Sequence, residues 1–311
     1  MKLNISIEYR TSWGEEIVLC IGGKRYPLAY TAEGLWEGEI ARVNLAKAAE
    51  YSYEVVRDGQ TVRKEWKNHL LTLPEGIEPK ELTIYDRWND RPADSPFYSS
   101  AFTNAIFGRP AEKAKKAPKG ANAIIKVAVP TLRPNEVLAL AGSGKALKDW
   151  NKVVPFDGSD YPYWTLALNV TEPFAYKILI ADKETLAPVA WEDGENRWFA
   201  ALPQENEVVV EADLQVRFNG RDWKGAGTAI PVFSLRTEDD FGVGEFYDLK
   251  KMVDWAAATG QSILQLLPIN DTTMLHTWED SYPYNPNSTF ALYPQFINLP
   301  AAGVKVDEAY K

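Results

Sequence analysis

One cysteine and two histidines in 311 residues leave little from which to build a zinc or iron site, so no metal and no cofactor is expected. The lone Cys20 lies in an apolar run and reads as a small core residue. No window approaches eighteen consecutive apolar residues, so no membrane span is expected. Met1–Arg10 alternates polar and apolar residues like a strand and lacks the uninterrupted apolar core of a signal peptide. Positive charge is also short: a net charge of −9 argues against nucleic acid or an anionic membrane surface as partner. A cytoplasmic protein of two or three domains fits these limits.

Tryptophan, by contrast, is abundant, and its placement reveals a repeat. A first series of short β-like runs reads WGEEIVLCIGG (13–23), LWEGEI (35–40), YSYEVV (51–56), KEWKNHLLTLP (64–74) and ELTIYDRW (81–88). A second reads NEVLALAGS (135–143), YWTLALNV (163–170), FAYKILI (174–180), VAWEDGENRWFAALP (189–203) and EVVVEADLQVRF (207–218). The second copy carries an insertion containing ALKDW. Runs of this length with turn residues between them predict two antiparallel β-sandwiches. Trp36 and Trp164 sit mid-strand among apolar neighbours and are expected in the two cores. Trp88, Trp198 and Trp223 receive no role from the pattern. Between the copies, EKAKKAPKG (112–120) has the composition of a solvated linker, whereas SPFYSSAFTNAIF (95–107) is too apolar for that and is expected to dock.

The pattern changes after residue 219. Ala229–Leu235 is an apolar run of strand length, and Thr237–Gly244 is a loop with two glycines. Phe246–Ala258 places Phe246, Leu249, Val253 and Ala256 on one helical face, with Gly260 as a stop. Ile263–Leu267 is a second buried run ended by Pro268. Strand, helix and strand in so short a span make one βαβ unit of a parallel sheet.

LLPIND followed by DSYPYNPNSTFAL (280–292) resembles the start of the catalytic barrel of the 4-α-glucanotransferases, glycoside hydrolase family 77. The likeness is closer to the long subfamily with tandem family 20 starch-binding modules. It implies a mainly β chain: two immunoglobulin-like β-sandwich starch-binding modules at 1–90 and 122–218, a linker at 91–121, and at 219–311 the first βαβ portion of a (β/α)8 barrel. It also implies starch, glycogen or malto-oligosaccharides as partners.

Site residues follow from the same resemblance. The first site of family 20 modules falls on Trp150, Lys177 and Trp191, with Glu192 and Asn196 as polar neighbours. A glucan offers flat C–H faces and rows of hydroxyls, which suits paired rings and hydrogen-bonding side chains. In the first module Glu54 stands at the lysine position and the KDW insertion is missing, which puts a site at Trp66 in doubt. Trp13 falls where the family's second site places a ring, so the two copies are expected to keep different sites. In the barrel segment, Asp280, Ser281, Tyr284 and Ser288 match a sugar-contacting loop.

The family's retaining chemistry needs two carboxyl groups about 5–5.5 Å apart. In the resemblance these come from strands beyond the two present here, so no residue of this chain is expected to be catalytic. Asp239, Asp240, Glu245 and Asp271 match loop or capping positions. Two readings follow: the N-terminal part of a 4-α-glucanotransferase that is inactive by itself, or a non-catalytic starch- or glycogen-binding protein. The βαβ segment favours the first. An incomplete barrel would also leave apolar faces open to self-association.

Overall fold

A computed structural model describes residues 1–44, 48–307 and 309. Contacts divide the chain into two compact units, Met1–Asp222 and Trp223–Lys311.

In the first unit the two copies of the repeat share a common arrangement of strands. The first copy comprises β1 (Lys2–Glu8), β2 (Glu15–Ile21), β3 (Lys24–Pro27), β4 (Ala29–Ala32), β5 (Leu35–Ile40), β6 (Ala48–Arg57), β7 (Gln60–Lys64), β8 (His69–Thr72) and β9 (Glu81–Arg87). The second comprises β10 (Ala123–Ala128), β11 (Glu136–Gly142), β12 (Val154–Pro155), β13 (Tyr163–Leu168), β14 (Phe174–Asp182), β15 (Pro188–Trp191), β16 (Arg197–Phe199) and β17 (Glu207–Leu214). Pairings recur between copies: β1 lies antiparallel to β5 and parallel to β9, as β10 lies to β13 and β17. Likewise β6 pairs with β2, β7 and β8, as β14 pairs with β11, β15 and β16. The two expected core tryptophans also behave alike. Trp36 and Trp164 are buried, and their indole N–H groups donate to the carbonyls of Tyr9 (3.1 Å) and Val129 (2.9 Å), each just past the first strand of its copy. A buried indole N–H needs such a partner, and the repeat supplies it twice.

The two sandwiches are not separate bodies. Strands β9 and β17, the last of each copy, pair in parallel with Glu81 opposite Glu207 and Tyr85 opposite Glu211. One seven-stranded sheet results, in the order β13-β10-β17-β9-β1-β5-β4. The remaining strands of each copy form a five-stranded sheet. These cover opposite faces of the shared sheet. Ile125, Val127, Trp164 and Val209 belong to the core of the second copy, whereas Ile124, Val208, Val210 and Ala212 join the core of the first. This explains why VVV, and AIIKVA apart from Lys126, read as apolar runs rather than alternating ones: both faces of β10 and β17 are buried. Pairing the two open edges also removes a template for unwanted strand addition.

The segment between the copies docks as expected at its apolar end. It forms short helical turns at Ser95–Tyr98 and Ala101–Ile106, with Phe97, Phe102 and Phe107 packed together. Further on, Arg109 donates to the carbonyls of Arg133 and Glu136 and lies over the Trp164 ring. The charged stretch 112–120 has no regular secondary structure and is largely exposed. Cys20 is half-buried rather than in the core, because it sits on the opposite face of β2 from Leu19 and Ile21.

In the second unit β18 (Gly227–Ile230) and β19 (Ile263–Leu266) pair in parallel, with helix α1 (Leu249–Ala258) between them in sequence. The strand expected over Ala229–Leu235 stops at Ile230. Pro231 has no N–H to offer the ladder, and Val232–Ser234 turns as a 3-10 helix instead. Gly244 lies against that turn so closely that a Cβ would come within 2.0 Å of the Val232 carbonyl oxygen. The apolar face of α1 is only partly covered: Ala256 is buried, while Val253 and Trp255 are about half exposed. No helix among the described residues is long and apolar enough to cross a membrane.

Candidate functional site

The outer face of the second copy's five-stranded sheet gathers several of the expected residues. Directly opposed residues of an antiparallel pair share a face, and residues two apart on one strand do too. Leu179 of β14 is opposite Trp191 of β15, and Ala141 of β11 is opposite Lys177 of β14. Trp191 and Lys177 therefore lie on one face. The Lys177 ammonium donates to the Gly194 carbonyl at 2.7 Å and so holds the turn that follows Trp191. Asn196 is exposed on that turn. Trp191 is 43% exposed.

Trp150 arrives from the KDW insertion by an unusual backbone. Lys148, Asp149 and Trp150 all have left-handed conformations, with φ of 50°, 46° and 69°. Each such non-glycine residue costs roughly 1 kcal/mol, so the loop must be held from outside. It is. The Trp150 N–H donates to the Gly142 carbonyl (2.6 Å), and Gly144 N–H donates to the Asp149 carboxylate (2.8 Å). The Asn151 amide donates to the carbonyls of both Lys148 and Asp149. Gly142 is required at the base of this loop, since a Cβ there would meet the Ala175 carbonyl oxygen at 2.4 Å. The ring so presented is 38% exposed.

Glu192 differs from its neighbours in orientation. Its side chain is buried, accepts from the Ile178 N–H (2.7 Å) and receives the Arg197 guanidinium at 2.9–3.1 Å. A buried carboxylate with these partners is committed to holding β15 and β16 on β14. The resemblance implies Glu192 as a polar neighbour of the site, whereas its carboxylate is turned into the fold. Strand alternation sends the residue after Trp191 inward.

The first copy is arranged differently. Trp13 stands fully exposed beside Gly14 in the turn before β2. Trp66 is 37% exposed, packs edge-on against Tyr98 of the docked segment, and has the Lys67 ammonium 5.1 Å from its ring. Glu54 is engaged by Arg25 and Lys64, both at 2.9 Å.

A buried polar cluster lies where the copies meet. His69 Nε2 faces Glu65 at 2.8 Å, and Nδ1 faces Asp213 and, at 3.4 Å, Asp86. Asp86 also accepts from the hydroxyls of Tyr51 (2.7 Å) and Tyr53 (2.9 Å), and the buried Lys126 ammonium donates to the Leu70 carbonyl nearby. Ligand atoms of His69, Asp86 and Asp213 lie within 4.8 Å of one another, a spacing that could accommodate a cation. Both imidazole nitrogens are already directed at carboxylates, however, so the ring serves as a double donor. Burial pulls its pKa down, but Asp86, Asp213 and Glu65 outweigh burial and hold it well above the ordinary value. The residues act as an ion-pair cluster of the junction.

In the second unit the barrel-loop residues are mostly occupied locally. The Asp280 carboxylate is buried, accepts from the backbone N–H groups of Leu275 and His276, and is held below the usual carboxylate range by these amides. Ser281 donates to the Trp278 carbonyl, and Ser288 accepts from the N–H groups of Phe290 and Ala291. Tyr282 and Tyr284 are exposed and pack against one another with ring centroids 5.5 Å apart. The carboxylates at the loop and capping positions also have local partners: Asp240 accepts from Thr237 and Gly242, Asp271 from Thr273, Glu245 from Asn298, and Asp239 pairs with Lys251.

Comparison with known proteins agrees with this division. Residues 122–211 match the family model described as a starch binding domain, and residues 230–310 match that of 4-alpha-glucanotransferase. The 4-alpha-glucanotransferase DPE2 of Oryza sativa subsp. japonica is 31% identical, across 96% of this chain and 34% of that protein. A 4-alpha-glucanotransferase of Chlamydia trachomatis is 37% identical across 34% of this chain and 19% of its own. Among solved structures, the family 20 module of a maltotetraose-forming amylase from Pseudomonas saccharophila is 17% identical, with a TM-score of 0.25, over 29% of this chain and 97% of that one. The chain spans about a third of the length of the rice relative. Over 122–211 the chain is thus similar to starch binding domains and, over 230–310, to part of the 4-alpha-glucanotransferases.

Proposed function

We propose that this chain supplies the glucan-binding part of a 4-α-glucanotransferase, an enzyme that moves α-1,4-glucosyl units between malto-oligosaccharides and glucans by a retaining mechanism. The observation that carries the reading is the joining, in one chain, of a starch-binding family segment to a glucanotransferase family segment. Within the second copy, Trp150 and Trp191 form the stacking platform, with Lys177 and Asn196 as hydrogen-bond donors to sugar hydroxyls. Glu192 acts through Arg197 and the Ile178 amide to position the strand that bears Trp191.

The first copy binds through Trp13, because Trp66 is spent on Tyr98 and Glu54 cannot donate hydrogen bonds. In the second unit, Tyr284 and Ser281 belong to a rim that touches glucan, and Asp280 and Ser288 shape that rim. The work is placed in the cytoplasm, on starch, glycogen or malto-oligosaccharides.

Titration of the chain with β-cyclodextrin tests the platform. Trp150→Ala and Trp191→Ala should each weaken binding by roughly 1–3 kcal/mol, the range of ring truncation at other sites. Unchanged affinity in both would return these rings to a structural role.

A further inference from the structure

Trp198 is the most exposed tryptophan of the second copy, at 60%, and no ring or cation contact to it is found among the described residues. Its position is fixed on both sides. Phe199 is buried and stacks on Phe174 with centroids 5.2 Å apart. Arg197 holds Glu192 and also donates to the Gln215 carbonyl at 2.6 Å. Strand β16 pairs with β14 so that Phe199 is opposite Phe174, Trp198 opposite Ala175, and Arg197 opposite Tyr176.

Phe174, Phe199 and Tyr176 point into the core. Ala175 and Trp198 must therefore project from the other face, the one that bears Lys177 and Trp191. Ala175 and Leu179, the partners of Trp198 and Trp191, are four residues apart on β14, or about 13 Å. Lys177 lies midway. One sugar ring cannot span both indoles, but an extended oligosaccharide can.

We propose that Trp198 is a third sugar-stacking residue that extends the platform past Lys177, so that the second copy prefers longer α-glucan chains over short ones. This rests on the platform reading given above. An indole held by two anchored neighbours loses little freedom on binding, which is the condition under which a stacked ring contributes most. The flanking anchors would serve equally well with a small polar residue between them, so the fold does not demand tryptophan here.

The test compares maltoheptaose with maltotriose by calorimetric titration of the full 311-residue chain, with thermal unfolding run alongside. Trp198→Ala is expected to weaken maltoheptaose binding about tenfold, leave maltotriose affinity unchanged, and leave the unfolding temperature unchanged. Trp198→Phe should restore part of the loss. Equal weakening for both ligands would overturn the proposal, since it would mean that Trp198 shapes the site rather than extends it. Unchanged maltoheptaose affinity in Trp198→Ala, with binding lost in Trp191→Ala, would also overturn it and leave the platform standing. No loss in either variant would remove the platform itself.

Discussion

His69 of β8 and Asp213 of β17 are hydrogen-bonded to one another across 144 residues of sequence, joining the two copies of the repeat. Asp213 takes a left-handed backbone conformation (φ 50°) where β10 and β17 fall out of register, which turns its carboxylate toward the ring. The junction is thus sealed by apolar residues along β9 and β17 and by one ion-pair cluster at its end.

His69→Gln tests that cluster. Its raised folded-state pKa means that the charged ring adds stability fully below about pH 6.5, the ordinary histidine value, and loses it as pH rises through the folded value. Removing the charge leaves Glu65, Asp86 and Asp213 facing each other, at a cost of about 3 kcal/mol. The difference between wild type and variant in urea unfolding should be largest at pH 6 and shrink in alkaline solution. A difference independent of pH would show that the ring does not titrate in this way.

Asp213 works in the other direction. Burial raises its pKa, but the hydrogen bond to His69 and the charges of His69, Lys126 and Lys67 bring it below the ordinary value. Its contribution is present above about pH 4 and is lost as pH falls through the folded value. Asp213→Asn should therefore flatten the acid limb of the stability curve. An unaltered acid limb would argue against it.

The KDW loop depends on its outside supports. Gly142→Ala places a Cβ against backbone at Ala175 and should cost about 2 kcal/mol or more, with disturbance of the loop that carries Trp150. Asn151→Ala removes two hydrogen bonds and is expected to cost about 1 kcal/mol or less in stability while weakening cyclodextrin binding several-fold. Tryptophan fluorescence during titration separates the two effects. Wild-type affinity in Asn151→Ala would mean that the loop needs no such bracing.

Separating the copies should expose strand edges. Residues 1–90 expressed alone present β9 without β17, and lose Ile124, Val208, Val210 and Ala212 from their core at about 2 kcal/mol for each larger side chain. Light scattering should find this fragment self-associated, or unfolding should find it far weaker than in the full chain. A stable monomer would contradict a shared core.

The 311-residue chain should transfer no glucosyl units between maltotriose molecules. Asp240 and Asp271 are held below the ordinary carboxylate range by backbone and side-chain donors, the opposite of what a general acid requires. Chromatography of maltotriose incubated with purified chain should show no longer or shorter products. Product formation would relocate the catalytic carboxylates into this segment.

Much of the architecture was legible because it is periodic. The tryptophan repeat, the strand lengths and the run, helical face and run after residue 219 point to two β-sandwiches followed by a βαβ unit. Trp36 and Trp164 were recognisable as core residues from their apolar neighbours alone. The strand expected over 229–235 ends at Ile230, because an apolar run does not register the missing N–H of Pro231.

Local pattern cannot say which edges meet. The pairing of β9 with β17 is a long-range choice between strands that end two similar sequences, and only the folded chain decides it. The same limit governs the site. That Trp150 stands on a left-handed turn, that Glu192 points inward, and that Trp198 shares a face with Trp191 follow from β14, which gathers β11, β15 and β16 from distant parts of the sequence. Side-chain type is written in the sequence, whereas the face that a side chain occupies depends on the register of the strand beside it.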